Sequence, residues 1–342
     1  KARACGTETL RSNYVQHVGP SPFGLERFAE TNNRADELVP TQHSQPRPTL
    51  ALFLDHAAEV IDRFDLGKLV YEATVRDIRR DGGLVVETTA GSVRATRVVL
   101  AVGPGERFRR PDWARDSPRV EHVWDSNAPP ANRVDAGERV WVVGSGITAA
   151  QFATAAASRA ESVVVCARSP LDVALREANP RWLNWNHIAS ELHSLPPGSR
   201  ARYRRVRDAR NSGTVPPYLE RELHATTDIE LRHESITTAV ETRDGLLLAG
   251  ERDSGYRADR VVLATGFEPV ADGPLVGQLA GSLSLARGHR GGPVLDDETL
   301  AWRRQNGDRS NVLVTGKLAE ATVGPYAGNI PGARRAAERI AP

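Results

Sequence analysis

The run from Arg139 to Arg168, RVWVVGSGITAAQFATAAASRAESVVVCAR, decides the fold. Val140–Val143 and Val163–Cys166 are short apolar strands, and the Ala-rich stretch Ile147–Ala160 between them has helical character. The order strand, glycine turn, helix, strand is a βαβ unit. Within its turn, Gly144, Gly146 and Ala149 fit the spacing G-x-G-x-x-A. The first glycine permits a tight turn, the second lets backbone approach a pyrophosphate, and the alanine lets the helix pack close to the strand. Free N–H groups at the helix start then face the phosphates, where the helix dipole favours negative charge. Gly144, Ser145, Gly146, Ile147 and Thr148 are therefore the candidate dinucleotide-contacting residues. The bare motif is common, and its place inside a βαβ unit gives it weight. After the second strand the chain reads Cys166-Ala167-Arg168-Ser169, without the acid that binds a ribose 2′-OH in NAD-selective sites. The planar fork of Arg168 suits a 2′-phosphate, so NADPH is expected over NADH. The plain alternative is an Arg168 that only faces solvent.

Working outward, an internal repeat appears. Residues 93–104 read VRATRVVLAVGP and residues 256–267 read YRADRVVLATGF, with eight of twelve positions identical at an offset of 163. Each copy follows short strands joined by Gly-containing turns and ends in a wholly apolar strand, Val98–Ala101 or Val261–Ala264, before a glycine, Gly103 or Gly266. Strands apolar on both faces are expected inside a parallel sheet covered by helices. Gly144 precedes Gly266 by 122 residues. The same spacing counted back from Gly103 falls before Lys1. A first glycine-rich βαβ unit is thus expected upstream and missing from the chain as given, in keeping with a start at Lys1 and no methionine.

Composition narrows the class. The chain has 342 residues, 40% hydrophobic and 26% charged, as for a folded globular protein of about two domains. A net charge of +2 gives no argument for nucleic acid or an anionic membrane as partner. No apolar run is long enough for a membrane span. Only Lys1, Lys68 and Lys317 among the 45 basic residues are lysines, which reads as codon bias in a GC-rich bacterial genome. Cys5 and Cys166 stand far apart and form neither a CxxC pair nor a zinc set, which suits a reducing cytoplasm. No His-Cys cluster has metal spacing. The sequence also lacks G-x-S-x-G.

Two nucleotide-binding modules, one inserted in the other, resemble the layout of two-dinucleotide-domain flavoproteins. Particular segments carry the likeness further. TLRSNYVQHVGPSPFGLERFAE (9–30), RPTLALFLDHAAEVIDRF (47–64), ELHSLPPGSRARYRRVRDARNSGTVPPYLEREL (191–223), ATGF (264–267) and GPYAGNIPGARRAAERI (324–340) resemble flavin-dependent N-hydroxylating monooxygenases of the lysine/ornithine type, within the class B flavin monooxygenases. The resemblance implies an α/β protein with two Rossmann-like, three-layer domains. An NADP-binding domain, 137–261, would be inserted in a discontinuous FAD-binding domain, 1–136 and 262–342, whose first βαβ is missing. It implies FAD contacts from Arg11, Gly103, Thr265, Gly266, Gly328, Asn329 and Ile330. Where the family has a Gln near the flavin and a substrate-holding Lys-Asp pair, this chain has Arg11, Gln16 and His17. That departure points away from lysine or ornithine as substrate.

The implied activity is NADPH-dependent oxygenation of a small molecule by O2 through a C4a-(hydro)peroxyflavin. The alternatives are a flavin-dependent NAD(P)H reductase or dehydrogenase without oxygen insertion, and a non-enzymatic NADP(H)-binding remnant. A homo-oligomer is compatible with each. His122, followed by Trp124 before the linker Ala128–Ala131, is a candidate hinge or cofactor-gating residue beside the plain reading of a packed His. Asn329, before Pro331, has N-cap chemistry, and the N–H groups at that helix start suit a reduced flavin. The arginine run Arg200–Arg210 reads as a solvated helix face. Trp182, Trp185 and His187 either line a substrate pocket or pack a loop.

Overall fold

The computed structural model describes residues 1–13, 17–41, 44–105, 107–114, 117–252 and 254–341. Gln16 lies outside them. Five parallel strands form the central sheet in the spatial order Ile229–His233, Ser162–Ala167, Arg139–Val143, Arg260–Leu263, Val120–His122. Side chains alternate between its faces, as strand geometry requires. Val140, Val142, Val163, Val165 and Val262 pack on one face with Phe152 of helix Ile147–Ala157 and with Leu219 and Leu223 of helix Pro217–Ala225. Trp141, Val164, Cys166, Val261 and Leu263 pack on the other with Leu246 and Leu248. Those two leucines belong to an antiparallel meander of Ile236–Thr242, Gly245–Gly250 and Ser254–Ala258. The unit therefore has three layers: helices, parallel sheet and meander.

A second unit repeats this plan with fewer strands. The meander Val75–Arg80, Leu84–Thr88, Gly91–Ala95 precedes strand Val98–Leu100. That strand pairs in parallel with Arg309–Val314, which pairs antiparallel with Ala301–Arg303. Its core gathers Ile78, Leu84, Leu100, Leu279, Trp302, Val312 and Val314. The wholly enclosed strand expected for both copies is found only in the second. Val261, Val262 and Leu263 are fully buried, whereas Val99 is 44% exposed, because Val98–Leu100 has one neighbour and lies at the edge of its sheet.

The unit boundaries also differ from those expected. Strand Val120–His122, upstream of 137, already belongs to the central sheet, and Arg260–Leu263 straddles the expected join at 261/262. Hydrogen-bonded strands cannot be divided between units without breaking the ladder. Residues near Lys1 also pack against the central-sheet unit: Cys5 joins its core, and Thr7 Oγ1 donates to Gln151 Oε1 at 2.9 Å. The helix after the glycine turn ends at Ala157 rather than Ala160.

A smaller cluster of Leu25, Ala29 and Leu52 joins helix Gly24–Thr31 to helix Leu50–Arg63. Thr49 caps the latter, its hydroxyl accepting from Leu52 N. The hairpin Leu38–Thr41 and Ser44–Pro48 leads into this helix. Among the described residues, no helix is long and apolar enough to cross a membrane.

Candidate functional site

A cleft of ≈ 1210 Å³ runs along the C-terminal ends of the central strands and continues to the second unit. Ligands of open α/β sheets bind outside those strand ends. The glycine turn forms one wall. Gly144 has φ +154°, and a Cβ there would stand 2.6 Å from the Ala264 carbonyl oxygen. The turn passes so close to the adjacent strand that only glycine fits. Gly146 occupies the cap position before helix Ile147–Ala157 and is extended, with φ −97° and ψ 177°. A Cβ there would make an ordinary 3.5 Å contact with Gly213, so loop 211–214 closes over the turn. No side chain caps the helix start. Its first N–H groups are free to meet an anion.

The cleft gathers nearly all the expected contact residues. Ser145, Ile147 and Thr148 line it beside the two glycines, and Arg168 lines its far end as an exposed side chain. Arg11, Gly103, Thr265, Gly266, Gly328 and Asn329 also line it. Gly103 and Gly266, the matched glycines of the repeat, both have positive φ, 65° and 83°. Ile330 is not on the wall. It opens helix Ile330–Ile340 immediately behind Asn329.

Asn329 departs from the capping role. It holds the cap position, but its side chain makes no cap hydrogen bond and Nδ2 donates to Glu177 instead. The helix start therefore keeps its donors. Arg11 is drawn across the cleft, donating to the carbonyls of Ala174 and Leu175 and to Thr214 Oγ1. Burial pushes its guanidinium pKa down, with Glu177 opposing.

His122 stands behind the wall. It is fully buried and stacked on Phe108 with ring centroids 4.7 Å apart. Burial pushes its pKa down to about 4, with Asp125 opposing. The ring is neutral at neutral pH. Trp124, next along, does line the cleft and stacks on Phe267 at 4.3 Å. Trp182 and His187 pack edge to face in a separate core with Trp185. None of these three is on the cleft wall. The arginine run is exposed along Arg200, Arg204, Arg205 and Arg207. Arg202 is fully buried, held by Asp297 and the Leu195 carbonyl, and Arg210 turns into the cleft.

Several wall residues carried no signal in the sequence. Lys317 lies at the end of strand Arg309–Val314 and pairs with Glu320; burial pushes its pKa down, with Glu320 opposing. Glu177 comes from an irregular connection with no motif around it. Glu234 lines the end near Arg168, where its carboxylate accepts from Arg252 N at 2.8 Å and Tyr256 OH at 2.6 Å. Only a resemblance at the level of these loops could have found them. Among the described residues, no group of His, Cys, Asp and Glu is placed to hold a metal ion.

No family model matches the chain, and no curated protein matches it by sequence. Solved structures do match its fold. An ornithine N-hydroxylase from Kutzneria sp. 744, solved with reduced FAD, NADP+ and L-ornithine, superposes with a TM-score of 0.77 at 17% identity, covering 99% of this chain and 88% of that one. An L-lysine 6-monooxygenase from Pseudomonas syringae gives 0.70 at 20% identity over 96% and 85%. A bacillithiol disulfide reductase from Bacillus cereus gives 0.61 at 14% identity over 98% and 84%. The chain shares its fold with these three enzymes.

Proposed function

We propose that the chain belongs to an NADPH-dependent FAD oxidoreductase that oxygenates a small molecule. One observation carries the reading: residues expected to contact NADPH and residues expected to contact FAD, far apart in sequence, line one cleft. The nucleotide half fits its cofactor on local grounds. Gly144 admits a close approach that a Cβ would block, the helix start has free donors, and Arg168 is exposed at the end where a 2′-phosphate would lie. The flavin half is supported by Gly103 and Gly266 and by the uncapped helix start at Asn329. In this reading 137–261 is the body of the NADP-binding domain, and the flanking segments hold FAD.

When bound, the flavin supplies hydride acceptance and oxygen activation. The residues of the chain supply placement. The Gly144–Thr148 turn would hold the pyrophosphate at the uncapped helix start. The free donors after Asn329 would stabilise negative charge on a reduced flavin. Trp124, Phe267 and the loop 211–214 limit the entry of water.

The likeness to the bacillithiol disulfide reductase favours a second reading, a flavin reductase without oxygen insertion. A thiol relay within the chain does not suit it. Cys5 and Cys166 are both buried and unpaired, and burial pushes the Cys166 thiol up to about 11. Incubation of the FAD-supplemented protein with NADPH, labelled O2 and a panel of small amines, thiols and ketones separates the two. Label in an organic product supports oxygenation. NADPH oxidation sustained by a quinone, with no label in any product, supports the reductase.

A further inference from the structure

Arg47 is the charged side chain that the proposed chemistry leaves unused. It lies in strand Ser44–Pro48, opposite Val39, and is 6% exposed. Its Nε and Nη1 atoms are buried without a hydrogen-bond partner. Its guanidinium lies face-on over Tyr218 of helix Pro217–Ala225, with Cζ 3.5 Å from the ring centroid. The aromatic face offers a cation weak compensation and accepts no in-plane N–H. Burial pushes the guanidinium pKa down, yet arginine keeps its charge in proteins. A buried cation with free donors and, among the described residues, no salt-bridge partner is costly unless a ligand supplies the anion.

Arg47 is among the residues that line a small cavity of ≈ 30 Å³, with Arg11, Asn13, Arg176, Glu177 and Asn329. Three guanidinium groups against one carboxylate make it electropositive. Glu177 is tied to the Asn329 amide, and Arg11 donates to two carbonyls and a hydroxyl. The side chain of Asn13 has a buried amide oxygen without a partner. Turned end for end, that amide presents two donors instead. Arg11, Glu177 and Asn329 are shared with the large cleft, so a group held at Arg47 would sit beside the reaction space.

We propose that this cavity is a carboxylate subsite, in which Arg47 receives the acid group of the substrate while the rest of the molecule extends past Asn329 into the cleft. The assignment of the cleft as the reaction space rests on the function proposed above; the anion site itself does not. The volume admits a group of carboxylate size, and a guanidinium N–H donates to a carboxylate oxygen in a charge-assisted hydrogen bond.

Thermal unfolding of the full chain at constant ionic strength tests this with three probes: butyrate, its neutral isostere butyramide, and inorganic phosphate. Butyrate is expected to raise Tm by about 2 °C at saturation, butyramide to leave it unchanged, and Arg47→Met to abolish the butyrate response, whereas phosphate, an anion the nucleotide turn also takes, is expected to shift parent and variant alike. Met keeps an apolar stem over Tyr218 and removes the buried charge, so the variant is expected to melt no lower than the parent. Equal shifts from butyrate and butyramide, a phosphate shift that disappears in Arg47→Met, a butyrate response surviving in Arg47→Met, or a large drop in the melting point of that variant would each overturn the assignment. NADP+ titrated into the same samples reports on the nucleotide site alone. An NADP+ response without a butyrate response removes only the carboxylate subsite.

Discussion

Strand Arg260–Leu263 lies between two parallel neighbours, and strand Val98–Leu100 has one. Both follow an antiparallel meander, both carry the sequence R-V-V-L, and both lead to a glycine of positive φ on the cleft wall. Yet Val262 is fully buried and Val99 is 44% exposed. Local sequence sets the turn, the strand and the aim of the glycine. What lies alongside the strand sets its burial. The two halves of the cleft therefore differ in kind: one rests on a completed sheet, the other on a sheet with an open edge.

The sharpest way to break that contrast is to place a charge in each copy. Val262→Asp buries an unpaired carboxylate in the central sheet and is expected to cost several kcal/mol, enough to abolish cooperative unfolding. Val99→Asp is expected to change stability by about 0.5 kcal/mol or less. Chemical denaturation of the two variants measures the difference, and similar losses would mean that the edge is enclosed in solution.

A second effect belongs only to the sheet of the second copy. His122 has its pKa lowered from 6.5 to about 4. The unfolded chain binds a proton more readily, so the contribution is fully present above pH 6.5 and is lost as the pH falls toward 4. The loss amounts to about 3 kcal/mol at most. In His122→Phe this part of the acid sensitivity disappears, which unfolding free energies measured at pH 7 and pH 5 would reveal.

Gly144→Ala drives a methyl into the Ala264 carbonyl. Overpacking of this kind costs about 1–3 kcal/mol, and the displaced turn should weaken NADP+ at least tenfold by calorimetry. An alanine at Gly103, in the other half of the cleft, has no atom within 4 Å of its Cβ and meets only the strain of positive φ. Smallest is Arg168→Ala, expected to weaken NADP+ about tenfold and leave NAD+ unchanged, since only the 2′-phosphate contact is lost. Equal affinities in both proteins would show that Arg168 only faces solvent.

The βαβ unit, its glycine turn and the repeated meanders were legible because each rests on local rules of period, glycine geometry and apolar alternation. The strand Val120–His122 was not, since three residues, V-E-H, carry no periodic signal and owe their strand state to pairing with Arg260–Leu263. The exposure of Val99 was hidden for the reverse reason, because its sequence matches that of a buried strand. In the cleft, backbone-determined residues such as Gly144 and Gly266 could be named in advance. Glu177, Glu234 and Lys317 reach the wall from loops and strand ends, where side-chain identity has no fixed relation to place. Asn329 was placed correctly at a helix start, but its amide turned to Glu177 instead of the helix, a choice made by a partner 152 residues away.

The central claim is that both halves of the cleft serve one electron path. Anaerobic titration of the FAD-loaded protein with NADPH tests it most directly. The account predicts that the visible flavin band bleaches with NADPH, and that Gly144→Ala slows the bleaching at least tenfold at subsaturating NADPH. A flavin that stays oxidised under excess NADPH, in protein shown by calorimetry to bind NADP+, would contradict it.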